Sequence, residues 1–127
     1  MEASKLDNIR WVVDDALKFV KREVKRGKKY NGIILDPPAY GRGPEGEKWV
    51  LQDSIMELLQ ECQALMLPQP SFVVLNLYSM GFSALIADNL VRTVFKSAAK
   101  TTYGELYLTD KAGRQLPLST YARYVNF

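Results

Sequence analysis

Residues 31–43 read NGIILDPPAYGRG, and this stretch decides how the rest of the chain is interpreted. Its apolar run, Ile33–Leu35, is typical of a parallel strand covered on both faces, where side chains need not alternate. Two prolines then end the strand, because each lacks a backbone N–H and has a fixed φ. Asp36 is therefore expected at the carboxyl end of a central strand, which is where open α/β sheets bind ligands.

The residues that follow supply an aromatic ring and backbone freedom. Tyr40 lies close after Asp36, while Gly41 and Gly43 allow a sharp turn or the close approach of a ligand. A carboxylate, two rigid prolines and an aromatic ring make a polar site with a flat wall. The alternative is a proline-stiffened turn in which Asp36 acts as a cap and Tyr40 covers surface, since Asp-Pro-Pro also recurs by chance.

Length and composition predict one α/β domain over residues 1–127. The chain is 47% hydrophobic and 24% charged, as in ordinary globular proteins, and its net charge of +3 allows an anionic partner without requiring one. It has no histidine and one cysteine, so neither a disulfide framework nor a metal site is expected. Without a targeting signal or a long apolar run, we expect a cytoplasmic protein with no membrane partner.

Strands and helices alternate in the predicted order. A β-branched and aromatic run at residues 9–13 predicts a strand, and three- and four-residue apolar spacing predicts a helix after it. Asp14 or Asp15 is the predicted N-cap of this helix, and Gly27 its end. Later elements are a loop with Arg42 and Lys48, a helix over 53–67 capped by Asp53 or Ser54, a strand over 71–77, a helix over 83–97, and a hairpin with strands near 103–108 and 119–126. This order predicts a doubly wound, mostly parallel sheet with an antiparallel hairpin at the end.

A dense basic cluster lies on the first helix and the loop after it. A solvated helix face is the simpler explanation, and a phosphate-contacting surface is the alternative. No aromatic residues interleave the basic ones, so a stacking platform is not indicated. The cluster consists of Lys18, Lys21, Arg22, Lys25, Arg26, Lys28 and Lys29.

The combined pattern IRWVVDDALKFV and YNGIILDPPAYGRGP resembles the class I S-adenosylmethionine-dependent methyltransferases. Within that family it is similar to the bacterial branch related to 23S rRNA cytosine methyltransferases, in which a strand ends in Asp-Pro-Pro and an aromatic residue. The resemblance runs from about Ser4 to the C-terminus. It implies a Rossmann-like fold, a methyl-transferring enzyme and S-adenosylmethionine as the cofactor.

The resemblance also implies where the adenine of the cofactor binds. In the family, an acidic residue after the third strand accepts a hydrogen bond from the adenine amino group, and the next backbone N–H contacts the ring edge. Asp15 and Ala16 match these positions, with Asp14 as the alternative. An exposed carboxylate is a suitable acceptor for an amine. The competing interpretation is that both aspartates only cap the helix.

The segment from Asp36 to Tyr40 matches the catalytic strand end of the family. In amino-methylating members the acidic or amide side chain and a proline carbonyl hold the acceptor nitrogen, and the aromatic ring stacks on the target base. The resemblance assigns these roles to Asp36, Pro37, Pro38 and Tyr40, with Asp36 also near the cofactor. Because the sulfonium is an activated donor, such a site mainly aligns the reactants and excludes water. Asp36 can also accept a proton from the amino group.

The chain departs from the family pattern in having no glycine-rich loop and no acidic residue at a second strand end. We therefore expect it to correspond to the C-terminal half of the domain, lacking the first two strands, with little or no activity alone. The strand at residues 9–13 then lacks its usual neighbour. We predict that it pairs with the strand at 33–36 or with a partner, either a second copy or the missing N-terminal half.

A second departure concerns the chemistry. Cytosine-C5 methylation needs a cysteine nucleophile, but the matching residues 76–79 read Asn-Leu-Tyr-Ser, and Cys62 is predicted to be a small core residue on a helix. Methylation of an amine, ring nitrogen or hydroxyl is favoured, in RNA or another nucleic-acid base. Arg42 and Lys48 are candidate contacts to this anionic substrate. The alternative is a non-catalytic module that binds nucleic acid or a protein through the basic helix at 16–29.

Overall fold

The computed structural model describes residues 6–78, 81–96 and 100–127. None of the helices within these ranges is long and apolar enough to cross a membrane. The helices are α1 (Ala16–Lys25), α2 (Leu51–Leu65) and α3 (Ala84–Val94), and the strands are β1 (Gly32–Leu35), β2 (Tyr40–Arg42), β3 (Lys48–Val50), β4 (Ser71–Leu77), β5 (Lys100–Thr109) and β6 (Gln115–Asn126).

The main sheet has the strand order β1-β4-β6-β5, and β2 and β3 form a separate hairpin. β1 is parallel to β4, with Leu35 opposite Leu75, whereas β6 is antiparallel to both of its neighbours. The mixed α/β fold and the C-terminal hairpin are therefore confirmed. Within the described residues the parallel part of the sheet consists of the β1–β4 pair. The other two ladders, β4–β6 and β5–β6, are antiparallel.

The core lies between α2, α3 and one face of the sheet. Along β4, buried and half-buried residues alternate, and the fully buried set includes Val73, Leu75 and Leu77. The side chains of α2 that helical spacing placed inside are all buried, namely Ile55, Leu58, Leu59, Cys62 and Leu65. Cys62 is thus a core residue, and burial raises the pKa of its thiol to about 11.

The ends of α1 follow the sequence prediction. Asp15 is the N-cap, and its carboxylate accepts a hydrogen bond from the backbone N–H of Lys18 at 2.8 Å. After the C-cap residue Arg26, Gly27 has a φ of 66°, which a residue without Cβ adopts easily.

The ends of α2 and α3 differ from the prediction. The predicted cap of α2 is wrong, because β3 runs directly into the helix and Val50 occupies the N-cap position without a side-chain hydrogen bond. Asp53 therefore lies inside the first turn. α3 begins after its cap Ser83, where the sequence predicts its start, but it ends at Val94 with Phe95 as the C-cap. The predicted extension to Ser97 is therefore wrong, and Ser97 itself lies outside the described residues.

Residues 9–13 form no strand, so this prediction is wrong. Trp11 is 71% exposed and Val13 is 95% exposed, and none of the strands in the described residues pairs with this segment. A strand needs such a neighbour for its backbone groups. The predicted direct pairing with β1 is also wrong, while pairing with a partner stays a prediction. Within the described sheet β1 is an edge strand rather than a central one. Ile34 is 72% exposed, so β1 is covered on one face only.

Candidate functional site

One cavity joins the two motifs that the sequence singled out. It has a volume of about 390 Å³ and lies between the start of α1, the end of β1 and the β2–β3 hairpin. Pockets for small ligands typically measure roughly 300–1,000 Å³. Much of the remaining wall is apolar and includes Leu17, Leu35 and Trp49. The predicted site residues in its wall are Asp14, Asp15, Ala16, Asp36, Pro37, Pro38 and Arg42.

Asp15 contacts both the helix and the hairpin. Its Oδ1 accepts the capping hydrogen bond from Lys18, and its Oδ2 lies 3.2 Å from the position that a Cβ on Gly43 would occupy. A side chain at position 43 would therefore crowd this carboxylate. The predicted capping role is confirmed. The cap uses one of several lone pairs of a carboxylate, so Asp15 can also accept a hydrogen bond from a ligand in the cavity.

Asp14, which precedes the N-cap of α1, is bound to a cation of that helix. Its carboxylate forms an ion pair with Arg22, and this guanidinium holds the pKa of the Asp14 carboxyl below its usual range. Asp14 lines the cavity, but its charge is already paired. Asp15 is therefore the better acceptor for a ligand.

Asp36 directly follows β1 and is held by a residue of the neighbouring strand β4, which is held in turn by a residue of β6. The Nδ2 of Asn76 in β4 donates to Asp36 Oδ1 at 2.5 Å, and the Oγ of Ser119 in β6 donates to Asn76 Oδ1 at 2.5 Å. This chain of hydrogen bonds fixes the carboxylate at the strand end. No local sequence pattern marks Ser119 as a site residue, because it is linked to Asp36 only through Asn76.

The hairpin holds the proline turn from the other side. Trp49 Nε1 donates to the carbonyl oxygen of Pro38 at 2.7 Å. The backbone N–H of Leu51 donates to the carbonyl oxygen of Ala39 at 2.9 Å. Within the described ranges no protein group donates to the Pro37 carbonyl. Trp49 is a site residue that its position in a predicted loop did not reveal.

Tyr40 does not line the cavity. It lies opposite Val50 in the hairpin, and its side chain is 80% exposed. The ring therefore stands outside the cavity wall, next to the turn that follows Asp36. Its role of stacking on a target base stays a prediction.

Arg42 and Lys48 lie on the hairpin and not on a flexible loop, so the predicted loop is wrong. They are directly opposite each other in the β2–β3 ladder, and both are exposed. Arg42 lines the cavity, whereas Lys48 does not. In the part of the chain that the structure describes, neither forms an ion pair.

Ion pairs bind the tip of the β2–β3 hairpin to α1. Lys18 forms ion pairs with Glu45, at 2.8 Å, and with Glu47. The carboxylates of Glu45 and Glu47 raise the pKa of Lys18, and Lys18 in turn lowers the pKa of Glu47. These ion pairs link the start of α1 to the strands that carry Arg42 and Trp49.

Most of the basic cluster on α1 is engaged by nearby groups. Lys18 pairs with the hairpin tip, and Lys29 donates to a backbone carbonyl at 2.7 Å. The other ion pairs are Lys21–Glu57, Arg22–Asp14 and Arg26–Glu23. Such local neutralisation favours the solvated-face interpretation over a phosphate-binding surface.

Known structures decide the family. The crystal structure of the SAM-dependent methyltransferase from Agrobacterium tumefaciens matches this chain with a TM-score of 0.87 and 35% sequence identity, over 92% of this chain and 40% of that protein. The chain belongs to the S-adenosylmethionine-dependent methyltransferase family. It spans less than half of the length of that relative.

Two further structures share the methyltransferase fold at lower sequence identity. SMU.776, a putative methyltransferase complexed with SAH, has a TM-score of 0.72 and 19% identity over 98% of this chain and 34% of that one. A putative SAM-dependent methyltransferase from Streptococcus mutans has a TM-score of 0.69 and 18% identity over 98% and 33%. No protein-family model and no curated protein matches the chain. The family is thus confirmed, while membership of the rRNA branch stays a prediction.

Proposed function

We propose that this chain is part of the catalytic domain of an S-adenosylmethionine-dependent methyltransferase, with the adenosine of the cofactor bound in the 390 Å³ cavity. The observation that carries the proposal is that Asp15, Ala16 and the Asp36–Pro38 turn line this one cavity. The apolar wall suits a purine ring, and the Asp15 carboxylate can accept from its amino group. The first N–H groups of a helix lack intrahelical acceptors, which leaves the Ala16 N–H for a ring nitrogen.

The methyl acceptor is held by the residues after β1. The bound cofactor supplies a methyl group activated by its sulfonium. With Asp36 Oδ1 bound by Asn76, Asp36 Oδ2 and the Pro37 carbonyl oxygen are the two acceptors for the hydrogens of an amino group. Holding the amine in this way fixes its position and orientation, which lowers the barrier to transfer. Asp36 can then take the proton that the methylated amine releases.

The proposed acceptor is an amine-bearing base of RNA or another nucleic acid. The exposed ring of Tyr40 can stack on such a base, and Arg42 and Lys48 can contact a phosphate beside it. A cysteine-dependent mechanism on carbon is not favoured, because Cys62 is fully buried with a raised thiol pKa. The positions that match the family cysteine, residues 76–79, contain no thiol.

Calorimetric titration of S-adenosylhomocysteine into the chain tests the cofactor site. Asp15→Ser keeps an oxygen that caps α1 but shortens the side chain, so we expect at least ~10-fold weaker binding, about 1.4 kcal/mol, without loss of helix stability. Asp53→Ser is the matched control, because Asp53 lies in the first turn of α2 and outside the cavity wall. Absence of saturable binding by the unchanged chain, or equal affinity in Asp15→Ser, would contradict the proposed site.

A further inference from the structure

We propose that Asn76 is a positioning residue that determines which atom of residue 36 faces the methyl acceptor. This inference rests on the proposed function and deepens it, because it states that the site selects acceptors that donate a hydrogen bond. It also predicts that position 36 needs a carboxylate in this chain, although an amide oxygen is itself a hydrogen-bond acceptor.

The hydrogen bonds around Asn76 allow one orientation of its amide. A carboxylate can only accept, so the Asn76 group that faces Asp36 must be the NH₂ group. Ser119 Oγ donates to Asn76 Oδ1 on the other side at 2.5 Å, which is consistent with the same orientation. Asn76 is therefore a fixed donor toward residue 36, and its own orientation is set by Ser119.

The register of the sheet places these groups side by side. Leu35 lies opposite Leu75 in the parallel β1–β4 ladder, so the following residues, Asp36 and Asn76, are neighbours at the carboxyl end of the two strands. Asn76 lies opposite Tyr121 in β6, and Ser119 is two residues from Tyr121, so its side chain is on the same face of the sheet. The contact is thus built into the strand pairing.

A fixed donor at position 76 makes an amide at position 36 face the wrong way. In Asp36→Asn, the new amide oxygen would turn toward the NH₂ group of Asn76. The new NH₂ group would then face the methyl acceptor and could not accept a hydrogen bond from its N–H or O–H group. We therefore expect Asp36→Asn to be as harmful as Asp36→Ala.

Two double variants reverse this effect by different routes. In Asp36→Asn with Asn76→Asp, the donor and acceptor exchange places, so the amide oxygen of residue 36 faces the acceptor again. In Asp36→Asn with Asn76→Ala, the fixed donor is gone and the residue 36 amide is able to rotate its oxygen toward the acceptor. The second double variant restores the orientation of the residue 36 amide without a carboxylate at either position. It therefore separates the effect of orientation from the effect of negative charge.

The test compares the affinities of two cofactor analogues by calorimetry. One is S-adenosylhomocysteine, and the other carries a primary amine on a carbon that replaces the methylated sulfur, so that its amine probes the acceptor side of the site. We expect the unchanged chain to prefer the amine analogue by about tenfold. The preference should vanish in Asp36→Asn and Asp36→Ala and return, at least in part, in both double variants. An Asp36→Asn chain that keeps the preference, or double variants that do not regain it, would overturn the proposal.

A second measurement tests the orientation of the Asn76 amide without a ligand. It therefore distinguishes failure of the cofactor site from failure of this inference. The side-chain amide resonances of Asn76 in the NMR spectrum of the free chain should be shifted by the carboxylate and by Ser119. Asp36→Ala should abolish the shift of the NH₂ protons, and Ser119→Ala should broaden or move the same signals. Asn76 amide signals that do not respond to Asp36→Ala would overturn the proposal even if neither analogue binds.

Discussion

Arg42 and Lys48 are directly opposite each other across the β2–β3 ladder, so two positive charges share one face of the hairpin. Like charges in opposite positions destabilise a two-stranded ladder. An anion bound between the two side chains would remove this repulsion. Because Arg42 also lines the cavity, such an anion would lie beside the proposed acceptor site.

Replacing Arg42 and Lys48 together by glutamine should weaken binding of a short single-stranded RNA and reduce its salt dependence. Each lost phosphate contact lowers the slope of log K against log salt concentration by roughly 0.7 for a single strand, so the expected change is about 1.4. Fluorescence anisotropy over a series of salt concentrations measures the slope. Lys25→Gln with Lys28→Gln is the matched control on α1, and a larger effect of this control would favour the alternative basic-helix interface.

Trp49→Phe should loosen the turn that carries the acceptor site. The substitution keeps an aromatic ring but removes the donor to the Pro38 carbonyl, and a hydrogen bond of this kind contributes about 0.5–1.5 kcal/mol. Urea denaturation measures the loss. Tyr107→Phe is the control, because it also removes one polar group from an aromatic side chain, at a residue of β5 that is 52% exposed. It should change the free energy of unfolding by less than about 0.5 kcal/mol. Equal effects of the two substitutions would contradict the role assigned to Trp49.

The ion pairs of Lys18 predict that the hairpin detaches from α1 in acid. Lys18 lowers the pKa of Glu47 from its ordinary 4.5, so this contribution to stability is fully present above about pH 4.5 and is lost as pH falls through the lowered value. The raised pKa of Lys18 keeps the lysine side of the pair charged until well above 10.5. Trp49 fluorescence in a Trp11→Phe background should therefore change in acid, before global unfolding.

Lys18→Gln tests whether this change in acid belongs to the ion pairs. The variant should lose the acid-dependent step and show the detached state already at neutral pH. High salt should shift the unchanged chain in the same direction, because Lys18 and Glu45 are exposed and are screened by ions. An acid transition that survives in Lys18→Gln would assign it to another group.

Leu59→Ala should be strongly destabilising. Leu59 is fully buried between α2 and the sheet, and removing such a side chain costs about 2–5 kcal/mol through lost burial and the cavity left behind. Leu85→Ala is the control, because Leu85 is 54% exposed at the start of α3. Chemical denaturation of the two variants compares them, and similar losses would indicate that the core is not where the structure has it.

Cys62 should not react with a thiol reagent while the chain is folded. Burial raises its thiol pKa to about 11, so near pH 8 almost no thiolate is present, and the sulfur has no access to solvent. Absorbance after addition of an aromatic disulfide should increase only when denaturant is added. Rapid reaction of the native chain would reopen a cysteine-dependent mechanism.

The elements that the sequence predicted well are those with strong local patterns. The spacing of apolar residues identified α2 and its buried face, and the apolar run at residues 72–75 located β4, because the burial of both elements follows a pattern of neighbouring residues. The Asp14–Asp15 pair and Gly27 marked the ends of α1, because caps act within a single turn, and the structure selected Asp15. Residues 9–13 have an equally strong strand composition, yet they form none, since a strand also needs a neighbour for its backbone groups.

The amino-acid sequence by itself determined the α/β fold class, the helix faces and the two motifs around Asp15 and Asp36, because each rests on residues close together in the chain. Only the tertiary structure decided that both motifs line one cavity, that Trp49 holds the proline turn, and that Asn76 and Ser119 orient the Asp36 carboxylate. These contacts join segments that lie far apart in sequence, and strand register and hairpin docking bring them together. No local pattern encodes such pairings, because they depend on how the whole sheet assembles.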